Sequence, residues 1–119
     1  MTVEERIYSA LTGSAELTAL LANGADSIYK GKSDDAGTYP VVVITLVSAV
    51  PAMHGDDTLL AYRTVHRISA ISENGALKDL RRAIYRAMTD AGFLWQNTAE
   101  LHDEDSYVLS MDFEYCDEV

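Results

Sequence analysis

The side chains of this protein best suited to chemistry gather in two short acidic segments. His54 stands beside Asp56 and Asp57, and His102 beside Asp103 and Asp105. Imidazole together with carboxylate is a ligand set for zinc or manganese. Neither group has the helical spacing that would fix its donors on one face. Both fall where the sequence predicts turns, in which Asp and Gly serve the backbone. Gly31-Lys32-Ser33 matches the end of a phosphate-binding loop, but Asp26 stands where that loop needs its first glycine. Asp34 and Asp35 follow where a helix N-terminus would have to receive the phosphate. Cys116 has acids on both sides, Glu114 and Asp117, a poor setting for a thiolate nucleophile. No serine lies in a Gly-x-Ser-x-Gly elbow. The local signatures therefore nominate no catalytic residue, no metal site and no cofactor.

The charged side chains point elsewhere. Lys78, Arg82 and Arg86 recur at four-residue intervals with Arg81 adjacent, which makes a basic ridge along one helix. After Arg86 there is no lysine or arginine, while Asp90, Glu100, Asp103, Glu104, Asp105, Asp112, Glu114, Asp117 and Glu118 all follow. The formal net charge of −10 opposes general affinity for nucleic acid. Two readings of the ridge stand side by side. It is a solvated helix face, or it docks an acidic partner such as the Asp103-Glu104-Asp105 turn of a neighbouring subunit. The second makes Lys78, Arg81, Arg82, Arg86, Asp103, Glu104 and Asp105 the candidate interface, a kind of contact that sets register and partner choice.

The elements that carry these residues are legible from periodicity. Thr2 with Glu5 forms a capping box for a helix over Thr2 to Leu11, with Val3, Ile7, Ala10 and Leu11 inward. Ser14 caps a second short helix with Leu17, Leu20 and Leu21 inward. Ser27 to Lys30 reads as a short strand, and Gly31 to Thr38 as a loop. A strand from Pro40 to Ser48 is apolar from Val41 to Val47 at every position except Thr45, so both its faces want cover. A polar loop, Met53 to Asp57, leads to a strand from Leu59 to Ile71. There Tyr62, Thr64, His66 and Ile68 share one face, and Arg63, Val65 and Arg67 the other. His66 reads as a packing or interface residue. A helix from Asn74 to Ala91 turns Leu77, Leu80, Ile84, Met88 and Ala91 inward, with Ala76, Ala83 and Ala87 beside them, and Gly92 ends it. Phe93 to Thr98 is a strand candidate and Glu100 to Ser106 an acidic turn. Tyr107 to Tyr115 alternates as a half-buried antiparallel strand.

Strands in hairpin pairs with helices apart from them predict an α+β fold. Its expected form is an antiparallel sheet of four to five strands, with one long helix and one or two short N-terminal helices packed on it. The length of 119 residues fits a single domain, 1–119. One cysteine allows no internal disulfide, and a free thiol suits a reducing cytoplasm. Acids at Glu4 and Glu5 oppose a secretory signal. The longest apolar stretch, Pro40 to Val50, is about half of what a membrane span needs. A soluble, unexported protein is expected. So few helices leave one sheet face short of cover, and another copy of the chain is the expected source.

Taken together, these elements resemble the tail completion, or tail terminator, proteins of long-tailed bacteriophages and prophages. The resemblance runs through Ile7, Leu11, Leu17, Leu20 and Leu21, then Ile28-Tyr29 and Pro40-Val41-Val42-Val43-Ile44. It continues through Tyr62-Arg63-Thr64-Val65, Ile68-Ser69-Ala70, Leu77 to Ile84 and the alternating strand Tyr107 to Tyr115. It implies a virion protein assembled in the bacterial host cytoplasm and placed at the head–tail junction. There a ring, typically of six subunits, ends the tail tube and joins it to the head connector. The implied partners are the chain itself, the tail tube protein and a head completion or connector protein. DNA passes through without specific binding, and no membrane is involved. Three rivals remain. One is a head-side completion or minor tail protein. Another is a small metal-dependent enzyme or ligand-binding domain using His54, Asp56 and Asp57. The third is a cytosolic regulatory domain that binds a protein partner as a dimer.

Overall fold

A computed structural model describes residues 2–31, 39–55, 58–75, 77–102 and 104–118, with the backbone alone for 52–54, 58–60, 117 and 118. The chain opens with helix α1, Val3–Thr12, where the Thr2 hydroxyl accepts the Glu5 backbone N–H at 3.1 Å. Helix α2, Ala15–Thr18, begins the same way, with the Ser14 hydroxyl accepting from the Leu17 N–H. Both caps satisfy donors that a first helical turn leaves open. A 3-10 turn, Gly24–Ser27, feeds strand β1, Ile28–Lys30. Then come strands β2, Val41–Gly55, and β3, Thr58–Ser72, helix α3, Lys78–Asp90, and strands β4, Leu94–His102, and β5, Tyr107–Glu118.

The five strands form one sheet in the order β1-β2-β3-β5-β4. All neighbours are antiparallel except β1, which lies parallel to β2 through Ile28 opposite Val42. The sheet is therefore mixed where the sequence predicts it antiparallel. A parallel neighbour needs a crossover connection, and the stretch between β1 and β2 includes the sequence's expected loop, Gly31 to Thr38. Those residues, apart from Gly31, lie outside the described ones.

All three helices cover one face. Val42 and Ile44 of β2, Ile68 and Ala70 of β3, and Leu109, Met111 and Phe113 of β5 point to that side and are buried. Against them pack Val3, Ile7 and Leu11 of α1, Leu17 of α2, and Leu80, Ala83, Ile84 and Met88 of α3. Gly92 stops α3 at φ +93°, and the Phe93 N–H reaches back to the Met88 carbonyl at 3.0 Å. That left-handed closing residue is why glycine stands there.

Several boundaries differ from expectation. β2 runs on to Gly55, so Met53, His54 and Gly55 belong to the strand. Asp56 and Asp57 lie outside the described residues. Beyond Ile44 no strand among the described residues pairs with the outer edge of β2. An edge strand tolerates Pro51, at the cost of pairing irregularities near Val47 and between Pro51 and His54. α3 begins at Lys78 rather than Asn74, because the Ser72 hydroxyl captures the Asn74 N–H and holds it in a bend. Ala91 is exposed rather than inward, and Ala76 lies outside the described residues. β4 continues through Glu100 and Leu101 to His102, which shortens the expected acidic turn.

The long hairpin sets the shape. Fifteen residues of strand span roughly 50 Å, and the molecule measures 52 × 27 × 25 Å. The helices cover only the inner half of that length. Val41 to Ile44 are at most 8% exposed, whereas Leu46, Val47 and Val50 are 49%, 46% and 44% exposed. The expectation of an uncovered face is corrected in place. Val41 and Val43, which point away from the helices, are already buried within the chain, and the apolar excess lies on the outer half of β2. The paired outer parts of β2, β3 and β5 form an arm. No described helix is long and apolar enough to cross a membrane.

Candidate functional interface

The expected basic ridge exists, and it forms one wall of a groove. Because Leu80, Ala83, Ile84 and Met88 bury one side of α3, helical spacing turns Lys78, Arg82 and Arg86 to the other. Arg81 and Tyr85 lie on the flank toward β4. The opposite wall is β4, where Trp95, Thr98 and Glu100 stand on the helix side. An irregularity between Trp95 and Asn97 makes this possible. In an unbroken strand, residues three apart point to opposite faces. The extra residue, Gln96, puts Trp95 opposite Phe113 and Thr98 opposite Met111, both on the helix side. The Trp95 indole N–H then donates to the Thr98 hydroxyl at 2.8 Å.

The groove holds about 790 Å³ and is floored by Met111. Tyr85 and Trp95 meet edge to face across it, with ring centroids 6.0 Å apart and planes at 66°. They remain 44% and 50% exposed, large aromatic surface without cover. Arg81 pairs with Glu100 at 3.0 Å, and Arg86 with Glu16 of α2 at 3.3 Å. These exposed pairs contribute little stability, but they fix two of the four cations in position. Lys78 and Arg82 make no ion pair among the described residues. Aromatic surface flanked by cations suits an acidic segment with apolar side chains.

The acidic half of the expected interface is only partly within view. Glu104 and Asp105 are exposed in the bend between β4 and β5, and Asp103 lies outside the described residues. The bend joins the strand that walls the groove, so the acids of one protomer sit on the same flank as its own ridge. The larger acidic feature is β5, which pairs Glu118 with Ala61 and Asp117 with Tyr62 and so carries acids onto the arm. On the helix-free face Arg67 grips Asp112 with two bonds, at 2.9 and 3.2 Å, and Arg63 pairs with Glu114. The Asp112 hydrogen bond and charge hold the Arg67 guanidinium still more firmly protonated.

A second concavity of about 550 Å³ lies where the arm leaves the body, between the start of α1 and residues Leu46, Ala49, Tyr62, Thr64 and His66. His66 is 2% exposed, and its Nδ1 has no hydrogen-bond partner among the described residues. Burial lowers its pKa, and the charge of Glu4 offsets part of that. His66 thus packs, as expected of a strand histidine.

Among the described residues the remaining sequence candidates do not converge. His54 lies in β2, with Asp56 and Asp57 outside the described residues. His102 stacks on Tyr107 with centroids 4.4 Å apart. Among the described residues no three His, Cys, Asp or Glu gather to hold a metal ion. Gly31 follows β1 at φ +84°, a turn conformation. Cys116 is exposed on β5. Sequence reasoning missed Tyr85 and Trp95. Their position four residues after Arg81 and three after Gly92 carried no functional signal until the bulge brought them together.

A family model described as "Tail completion protein gp17" matches residues 5–115. No curated protein matches the chain. Among solved structures, a chain of the "Virion of native gene transfer agent (GTA) particle" superposes with a TM-score of 0.67. It is 19% identical and covered over 95% of its length, with 98% of the present chain covered. At that identity the likeness speaks for the fold. A second solved chain, 12% identical and covered over 97%, reaches a TM-score of 0.48 with 100% of the present chain covered. That is too low to bear on function.

Proposed function

The chain belongs to the tail completion protein gp17 family, structural proteins of phage tails, and on that premise we propose that its copies close into a ring at the head–tail junction. The ring ends the growing tail tube and offers its far side to a head completion or connector protein. The observation that carries this reading is the half-covered sheet. Val41 to Ile44 are sealed by the chain itself, while Leu46, Val47 and Val50 stand in solvent on a projecting arm. Exposed β-branched surface on a long edge strand is an association surface. Contacts that do not pair a patch with itself close into rings when the rotation between copies permits.

The charge distribution supports the same role. Cations collect on α3, acids on the sheet's far end, and the net charge is −10. A predominantly negative ring lets DNA pass without adhering, since phosphate is repelled. The likeness to a chain of a gene transfer agent particle supports a place in a virion. The role is architectural: partner surfaces replace a reaction centre, and neither metal nor cofactor enters it.

The experiment is tube assembly in vitro. Tail tube protein from the same phage is polymerised with and without the chain, and lengths are measured by electron microscopy. The chain is expected to bind tube ends and stop elongation, giving short capped tubes. Tubes that keep growing with the chain bound to neither end would refute the proposal. A head-side completion protein would instead bind connectors and leave tube length unchanged.

A further inference from the structure

Two surfaces stay uncovered within one protomer, and they lie on opposite flanks of the sheet. The arm exposes Leu46, Val47 and Val50 on β2, while the groove exposes Tyr85 and Trp95 between α3 and β4. Strands β3 and β5 separate them. We propose that the arm of one copy seats in the α3–β4 groove of the next copy, a head-to-tail contact between identical chains. This rests on the ring reading and names the surfaces that would make it.

Three observations select this occupant. The first is chemistry. The groove offers aromatic faces and an apolar floor, and the arm offers aliphatic side chains without a core of their own. Each surface lacks what the other presents. The second is charge. Lys78 and Arg82 line the groove rim unpaired among the described residues, whereas β5 carries Asp117 and Glu118 onto the arm. Groove against groove would oppose Lys78 and Arg82 to their own copies, and arm against arm would bring the acidic ends of β5 together. The unpaired groove cations and the acids at the end of β5 favour the alternating arrangement over both self-paired ones. The third is topology. A projection on one flank and a recess on the other cannot satisfy each other within one chain. Identical copies repeating that contact form a closed ring or an open filament. An oligonucleotide fits the groove's cations less well, because the chain's net charge of −10 repels it on approach.

Cysteine cross-linking tests the contact. In a Cys116→Ser background, Val50→Cys marks the arm and Tyr85→Cys the groove. A flexible bis-maleimide is added at millimolar protein, and light scattering and thermal melts run in parallel. The chain carrying both cysteines should give a ladder of covalent oligomers. An equal mixture of the two single-cysteine chains should stop at dimers, and neither should cross-link alone. Adding Lys78→Glu and Arg82→Glu should lower the cross-linked yield on the order of tenfold. Dimers from Val50→Cys alone would show an arm–arm contact and overturn the proposal. Higher mass by scattering with no cross-link would overturn it while leaving the ring intact. Folded chains that stay monomeric and unlinked throughout would overturn both. If Tyr85→Cys lowers the melting point, Thr98→Cys on the opposite wall replaces it.

Discussion

Leu46→Ala and Ile44→Ala separate the two halves of β2 quantitatively. Ile44 is 3% exposed and packs in the core. Its truncation should cost about 3 kcal/mol, the usual range for a buried aliphatic, and lower the melting point by roughly 10–15 °C. Leu46, two residues on and on the same face, is 49% exposed. Truncation removes three carbons, about 2.4 kcal/mol if fully buried at roughly 0.8 each. With half of that surface already in water, the monomer should lose only about 1.2 kcal/mol. The other half becomes buried when the arm meets a neighbour. The contact should therefore weaken by about the same 1.2 kcal/mol, roughly eightfold in dissociation constant. Thermal melts at low concentration read the first quantity, and sedimentation velocity over a concentration series reads the second. The expected pattern is a cross-over: Ile44→Ala harms folding and spares association per folded molecule, and Leu46→Ala does the reverse. Equal destabilisation of the monomer by both would show the arm packed inside the protomer and refute the reasoning.

Arg82→Glu should leave the melting point within about 2 °C, since an exposed helix residue costs at most about half a kcal/mol, yet impair tail joining; unchanged joining assigns the ridge to solvent. His66 supplies a pH test. Burial holds its folded pKa below the unfolded 6.5, so the unfolded chain binds the proton more readily. Its contribution is intact above pH 6.5 and is lost as pH falls below that value. His66→Leu should flatten the decline in melting point between pH 7 and 5, measured by calorimetry, and an unchanged slope would assign the decline to carboxylates. Trp95 is the chain's single tryptophan and lies half-exposed in the groove. Its emission should shift to the blue as concentration drives association, and a fixed emission maximum through an increase in mass would place the contact elsewhere.

The core was largely legible in the sequence. Alternation at Leu109, Met111 and Phe113 and helical spacing at Leu80, Ile84 and Met88 each reflect one buried face, which is the signal periodicity carries. The caps at Thr2 and Ser14 and the stop at Gly92 were readable because backbone donors and left-handed turns demand particular residue types. What was not legible depended on neighbours distant in sequence. β1's parallel placement leaves β2 without an outer partner among the described residues after Ile44, an edge position that tolerates Pro51. The Gln96 bulge turns Trp95 toward α3, a choice that the local polar sequence does not announce. The ridge itself was visible as Lys78, Arg82 and Arg86, while the aromatic wall opposite emerged only with the fold. Burial of Val43 on the helix-free side was likewise invisible to a pattern that counts apolar residues without counting their cover.

The outer half of the long hairpin carries more apolar surface than one protomer can hide. Light scattering coupled to size exclusion, run from micromolar to millimolar protein, tests it most directly. The mass should climb from 13.1 kDa toward a closed multiple, about 79 kDa for six copies (6 × 13.1). A mass fixed at 13.1 kDa over the whole range, with Leu46, Val47 and Val50 unaltered, would contradict it.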